Sequence, residues 1–119
     1  MNVKEILNKL TTEEKIALTS GSNMWNMLGV ERLNIPKVLV ADGPHGVRVY
    51  EQITVESDAL NTDNLVKSTM FPSAAAMAAT FNENLIFEVG KTIGNECNMF
   101  GVDVLLAPGV NQKRSPLGG

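Results

Sequence analysis

The chain is poor in the residue types that mark several function classes. Its 119 residues include one cysteine, Cys97, and one histidine, His45. A lone cysteine excludes an internal disulfide, and the pair excludes a metal site built from clustered cysteines and histidines. The expected setting is a reducing cytoplasm. No apolar run approaches the roughly 18 residues that a membrane helix needs. Met1-Asn2-Val3-Lys4-Glu5 leads into an amphipathic pattern with no apolar segment of its own, so no signal peptide is expected. Ten Lys and Arg stand against thirteen Asp and Glu, a net charge of -3, which is no basic surplus for nucleic acid. The expected partners are therefore neither nucleic acid nor membrane.

What is present is enough for a folded core. Hydrophobic residues make up 44% and charged residues 19%, unlike a disordered tail. Neither an internal repeat nor an interdomain linker is visible, so 1–119 reads as one unit. Val3, Ile6, Leu7 and Leu10 follow Asn2 at helical spacing, with Asn2 as the cap. Thr11 and Glu14 form a Thr-x-x-Glu capping box that opens a second short helix, with Gly21 as its stop. Pro36 blocks a helix, and 37–41 reads as a short buried strand. The next seven residues, Asp42-Gly43-Pro44-His45-Gly46-Val47-Arg48, form a shaped turn. Residues 49–70 read as a long loop carrying Asp58, Asn61, Asp63 and Asn64. The alanine-rich run 73–80 is open between helix, which alanine favours, and a buried strand of small residues.

The clearest element is a helix over 83–100. Asn82 caps it, and Gly101 ends it in a left-handed turn. Leu85, Ile86, Val89, Ile93, Cys97 and Phe100 form its apolar stripe, and Gly90 and Gly94 are expected to mark a close approach to a sheet. Residues 102–107 follow as a strand whose continuous apolar run fits burial on both faces.

Several residues carry competing readings. Val89-Gly90-Lys91-Thr92 ends like a phosphate-binding loop, but Leu85 stands where that loop needs a glycine and the residues lie mid-helix, so nucleotide binding is rejected. His45 serves either acid–base chemistry or the turn, and the turn is favoured. Cys97 reads as a small buried hydrophobe rather than a nucleophile. Asp42 is the first residue beyond a buried strand, where parallel α/β architectures bind ligands. Its carboxylate either accepts sugar hydroxyls or caps its own loop, and position leaves these even. Arg48 either orients Asp42, binds an anion or is solvent-exposed. Lys113 and Arg114 follow the second strand, and cations near an aspartate fit a hydroxyl-rich ligand.

Taken together, the segments resemble family 3 glycoside hydrolases of the β-glucosidase type. The residues that carry the resemblance are Leu10-Thr11-Thr12-Glu13-Glu14-Lys15-Ile16-Ala17-Leu18-Thr19-Ser20-Gly21 and Gly29-Val30-Glu31-Arg32-Leu33-Asn34-Ile35-Pro36, then the 42–48 turn, Phe71-Pro72-Ser73-Ala74-Ala75, 101–111 and Lys113-Arg114-Ser115-Pro116-Leu117. They match in order over nearly the whole chain. The resemblance implies an α/β fold, the incomplete N-terminal part of a (β/α)8 TIM-type barrel, because a whole barrel takes about 250 residues. It also implies that 73–80 is a barrel strand. Asp42 takes the position of the aspartate that binds sugar hydroxyls in the cleaved subsite, Arg48 supports the same pocket, and His45 has no catalytic role.

A retaining glycosidase needs two carboxyl groups about 5–5.5 Å apart. In the family the resemblance points to, the nucleophile lies on a later barrel strand and the acid/base beyond the barrel. None of the thirteen acids here matches either motif, so no catalytic residue is assigned, and Glu96 and Asp103 are not put forward for the role. The implied function is the N-terminal portion of a retaining hydrolase of terminal β-D-glucosyl residues, inactive by itself. Its implied partners are a β-glucoside or short oligosaccharide and the remainder of the barrel, with no cofactor and no metal. Two alternatives stay open: a non-catalytic sugar-binding module, and a structural piece completing a split barrel.

Overall fold

A computed structural model describes residues 2–51, 64–110 and 114–115 of the protein. The chain opens with two short helices, α1 (Val3–Lys9) and α2 (Thr12–Ala17). Both start as their sequences dictate. The Asn2 side chain accepts the Lys4 N–H at 3.0 Å. Thr11 Oγ1 accepts the Glu14 N–H at 3.2 Å, and Glu14 Oε2 accepts the Thr11 N–H at 2.9 Å, closing the capping box. Helix α2 stops at Ala17, short of Gly21, because the chain turns at Leu18 and the Thr19 hydroxyl takes the Ile16 carbonyl at 2.8 Å.

Strand β1 (Asn26–Met27), a 3₁₀ turn (Glu31–Leu33) and strand β2 (Val38–Asp42) come next. A helical turn α3 (Ala74–Ala78), the long helix α4 (Glu83–Phe100) and strand β3 (Val104–Leu106) complete the described elements. The sheet has the order β1-β2-β3. Strand β1 runs antiparallel to β2, with Asn26 opposite Leu39. Strand β3 runs parallel to β2, with Val40 opposite Val104 and Asp42 opposite Leu106. A parallel neighbour needs a crossover, and α4 lies within it.

Helix α4 has the bounds its sequence predicts. Asn82 accepts the Leu85 N–H at 3.1 Å. Gly101, at φ 70, reverses the chain so that the Val102 N–H returns to the Cys97 carbonyl at 2.9 Å. The main core gathers Ala41 from β2, Val47 and Val49 beyond it, Ile93 and Cys97 from α4, and Val102. A separate contact stacks Trp25 near Tyr50, with ring centroids 5.5 Å apart.

Four expectations are corrected. Residues 74–78 are helical, not a barrel strand: Ser73 Oγ accepts the Ala76 N–H at 3.4 Å, and no described ladder offers these alanines a partner, so local propensity decides. Strand β3 is not buried on both faces. Leu105 packs on the α4 core, while Val104 and Leu106, on the opposite face, are 42% and 56% exposed. The α4 stripe is buried only in its C-terminal half, since Leu85 and Ile86 are exposed. Gly90 and Gly94 mark no close contact, because a Cβ at either would meet nothing within 4 Å. They line instead an apolar groove of ≈ 570 Å³ between α4, Leu105 and Pro108. The described ends of the 49–70 loop are tied to each other: Glu51 N–H bonds to the Asn64 carbonyl and Val66 N–H to the Val49 carbonyl, both at 2.9 Å. Asp58, Asn61 and Asp63 lie outside the described residues.

Candidate functional site

Strand β2 carries the chain through the centre of the sheet and delivers Asp42 at its carboxyl end. The strand is held in register at its other end by Asp103. The Leu39 N–H donates to Asp103 Oδ2 at 2.8 Å, and the Asp103 N–H returns to the Leu39 carbonyl at 3.1 Å. Ala41, fully buried, faces the core.

The turn after Asp42 is one that only glycine permits. A Cβ on Gly43 would lie 1.7 Å from the Gly46 carbonyl oxygen. Gly46 has φ +142, and a Cβ there would lie 2.3 Å from the Thr69 carbonyl oxygen. The turn closes when the Arg48 N–H donates to the Asp42 carbonyl at 2.9 Å, so the two residues chosen from the sequence face each other as a backbone pair. Among the described residues no ion pair joins their side chains. Arg48 reaches instead toward Tyr50, with Nη2 donating to the hydroxyl at 3.3 Å.

Residues 64–71 form the opposite wall. They fasten to the turn at two positions: the Ser68 hydroxyl donates to the Val47 carbonyl at 2.6 Å, and the Phe71 N–H to the His45 carbonyl at 2.7 Å. Between the walls lies an open cleft of ≈ 420 Å³, lined by Asp42, His45, Arg48, Val66, Ser68 and Thr69 among others. That volume is in the range of small-ligand sites. A half-buried carboxylate at a strand end, beside an arginine and hydroxyl-bearing side chains, can accept hydrogen bonds from a polyhydroxyl ligand and hold its orientation.

The other sequence candidates sort as follows. His45 shapes the turn through its backbone carbonyl, and its ring Nδ1 is buried with no partner among the described residues. Cys97 is buried in the α4 core; burial pushes its thiol up, and the neighbouring Glu96 charge adds to that. It is a packing residue and a poor nucleophile. Lys113 lies outside the described residues, and Arg114 is exposed. Among the described residues no group of three or more His, Cys, Asp or Glu is placed to hold a metal ion, and no helix is long and apolar enough to cross a membrane. The sequence reading missed the 64–71 wall, with Ser68, Thr69 and the helix residue Glu96 that touches it. Nothing local marks these residues, because their contacts span 21 to 27 positions.

Residues 4–118 match the profile of the glycosyl hydrolase family 3 N terminal domain. The chain belongs to glycosyl hydrolase family 3. It is 41% identical over 119 residues to thermostable beta-glucosidase B of Acetivibrio thermocellus, covering 100% of this chain and 15% of that protein. It is 44% identical over 110 residues to an exo-alpha-(1->6)-L-arabinopyranosidase of Bifidobacterium longum, covering 92% of this chain and 14% of the other. Among solved structures, beta-glucosidase 3B from Thermotoga neapolitana in complex with alpha-D-glucose superposes with a TM-score of 0.80 at 37% identity, over 97% of this chain and 17% of that one. The family 3 chain described here thus spans about a seventh of the length of these relatives.

Proposed function

We propose that this chain is the opening portion of the (β/α)8 barrel domain of a retaining family 3 glycosidase, and that its 42–48 turn supplies the hydroxyl-binding part of the cleaved sugar's subsite. The observation that carries the reading is the position of Asp42: carboxyl end of the central strand, at the head of a glycine-enforced turn, inside a chain that matches family 3 over residues 4–118. The exposed outer face of β3 and the groove beside α4 support an unfinished barrel, since further strands would cover them. Asp42 accepts two ring hydroxyls through its carboxylate, and Arg48 holds the wall of the pocket. These bonds tighten as the sugar ring distorts toward the oxocarbenium-like transition state, so they act on catalysis as well as on binding. The nucleophile and the acid/base come from outside these 119 residues. We infer a β-glucoside as substrate; the equal likeness to an arabinopyranosidase makes an α-L-arabinopyranoside the second candidate.

The test uses the whole encoded protein and nitrophenyl glycosides of both sugars. Asp42→Ala lowers kcat/KM by roughly 10- to 100-fold or more, the cost of charged hydrogen bonds in a closed site, while His45→Ala costs much less. The 119-residue chain alone shows no turnover. Near-parental kinetics for Asp42→Ala removes it from the subsite, and turnover by the isolated chain that survives repurification refutes the division of labour.

A further inference from the structure

The wall that closes the candidate cleft has an anchor of its own. Residues 65–71 form no helix, and beyond the Leu65 bridge to Tyr50 they form no ladder; they hold to the turn through single hydrogen bonds from Ser68 and Phe71, and to Val49 just beyond it through Val66. Thr69 bonds the other way. Its N–H donates to Glu96 at 3.1 Å (Oε1) and 3.3 Å (Oε2), and its hydroxyl donates to Glu96 Oε1 at 2.6 Å. These are bonds to a carboxylate, the stronger class. Glu96 lies in α4 next to Cys97, one of the helix's two buried residues, on a stretch fixed by Ile93 and by the Gly101 turn. It is a rigid post.

Thr69 in turn bears on the turn. Gly46 lies so close beneath the Thr69 carbonyl that the oxygen would be 2.3 Å from any Cβ there. Gly46 closes on Gly43 just as tightly, and Gly43 directly follows Asp42. A shift of Thr69 carries its neighbours' bonds with it, Ser68 to the Val47 carbonyl and Phe71 to the His45 carbonyl, and through the Arg48 N–H on the Asp42 carbonyl it reaches Asp42. We propose that Glu96 is a positioning residue for the candidate sugar subsite, holding the 42–48 turn in its working shape through Thr69. This rests on the reading of that turn as a sugar site. Glu96 takes no part in the chemistry and touches no substrate; it sets where Asp42 can be.

The test has two arms on the whole encoded protein. The first is independent of any sugar: amide hydrogen exchange at Phe71 and Arg48, whose N–H groups bond across the turn to His45 and Asp42, with Val102 at the end of α4 as the internal reference. Glu96→Ala speeds exchange at Phe71 and Arg48 and leaves Val102 unchanged. Glu96→Gln keeps an Oε1 acceptor for both Thr69 donors and stays close to the parent. Thr69→Val, which removes the hydroxyl donor and leaves the helix untouched, lies between them and serves if Glu96→Ala fails to fold. The second arm is competitive inhibition by glucose. Its inhibition constant rises roughly tenfold in Glu96→Ala, less than the loss of up to about 100-fold that misplaced site groups can cause, and recovers in Glu96→Gln. Unchanged exchange at Phe71 and Arg48 in Glu96→Ala and Thr69→Val overturns the proposal. So does an equal loss in Glu96→Gln and Glu96→Ala, since the acceptor would then be irrelevant. If the parent protein binds no sugar, the subsite reading fails, and the exchange arm alone decides the role of Glu96.

Discussion

The same substitution, glycine to alanine, has opposite expected effects at two places in this chain. At Gly46 it meets both a backbone and a steric obstacle. An alanine held at φ +142 occupies a region costing of order 1–3 kcal/mol. Its methyl would also overlap the Thr69 carbonyl oxygen, and relieving such overpacking typically costs about 1–3 kcal/mol more. The turn has a cheaper way out. It can release the Phe71 N–H from the His45 carbonyl, a bond with a net worth of about 0.5–1.5 kcal/mol, and let the 64–71 wall swing away. The expected loss is therefore about 2–4 kcal/mol, with damage concentrated at the cleft. At Gly90 the outcome reverses. The residue lies mid-helix, nothing stands within 4 Å of the added methyl, and alanine is about 0.8–1 kcal/mol better than glycine there. Native-state amide hydrogen exchange in the 119-residue chain measures both locally, at Phe71 for the turn and across α4 for the helix. Gly46→Ala speeds exchange at Phe71 and Gly90→Ala slows exchange across α4. If Gly46→Ala is no worse than Gly90→Ala at Phe71, the turn does not need its glycines and the account of the site's geometry is wrong.

Two further outcomes follow from the surface. Glu14 is held below the ordinary carboxylate range, first by its hydrogen bonds with the Arg32 guanidinium and then by the Thr11 N–H. The ionised form is the one the fold favours, so its contribution is complete at neutral pH and is lost as pH falls through the depressed folded-state value. Glu14→Gln should accordingly lower Tm at neutral pH, with the gap to the parent closing in acid; a gap that persists there would show that charge is not the cause. The exposed Phe87 of α4 and Leu106 of β3, with the groove between helix and strand, leave apolar surface uncovered. The isolated chain should self-associate in size-exclusion chromatography and bind hydrophobic dye; a sharp two-state monomer of ordinary stability, about 5–15 kcal/mol, would contradict the unfinished-barrel reading.

Elements fixed by neighbours in sequence were legible, and elements fixed by distant partners were not. The capping box at Thr11 and Glu14, the Asn82 cap, the Gly101 stop and the bounds of α4 all depend on residues within four positions of one another. They came out as the side-chain chemistry requires. Strand β3 is the contrary case. Its run Val104-Leu105-Leu106 has the composition of a strand covered on both faces, yet what covers a strand is set by elements elsewhere, and among these three only Leu105 packs against the described core. Residues 74–78 went the same way: with no strand beside them among the described residues, alanine's helix preference is unopposed. Gly90 and Gly94 illustrate a related limit, since a missing Cβ shows that close approach is allowed and not that anything approaches.

The site divides along the same line. Asp42 and the 42–48 turn could be read from sequence because two glycines and a proline within five residues announce an unusual backbone, and the strand before them says where in the fold it lies. The wall opposite could not. Ser68 and Thr69 sit in a stretch with no period, and Glu96 shows in the sequence only as a charge beside the apolar stripe, where a solvated glutamate is the ordinary expectation. What makes Glu96 different is a partner 27 positions away. Its carboxylate accepts both the Thr69 N–H and the Thr69 hydroxyl, bonds to a charged acceptor and so of the stronger class. In accepting them it fixes Thr69 beside Gly46, where there is no room for a side chain. The residue that shapes the cleft is thus reached from a helix that does not line it.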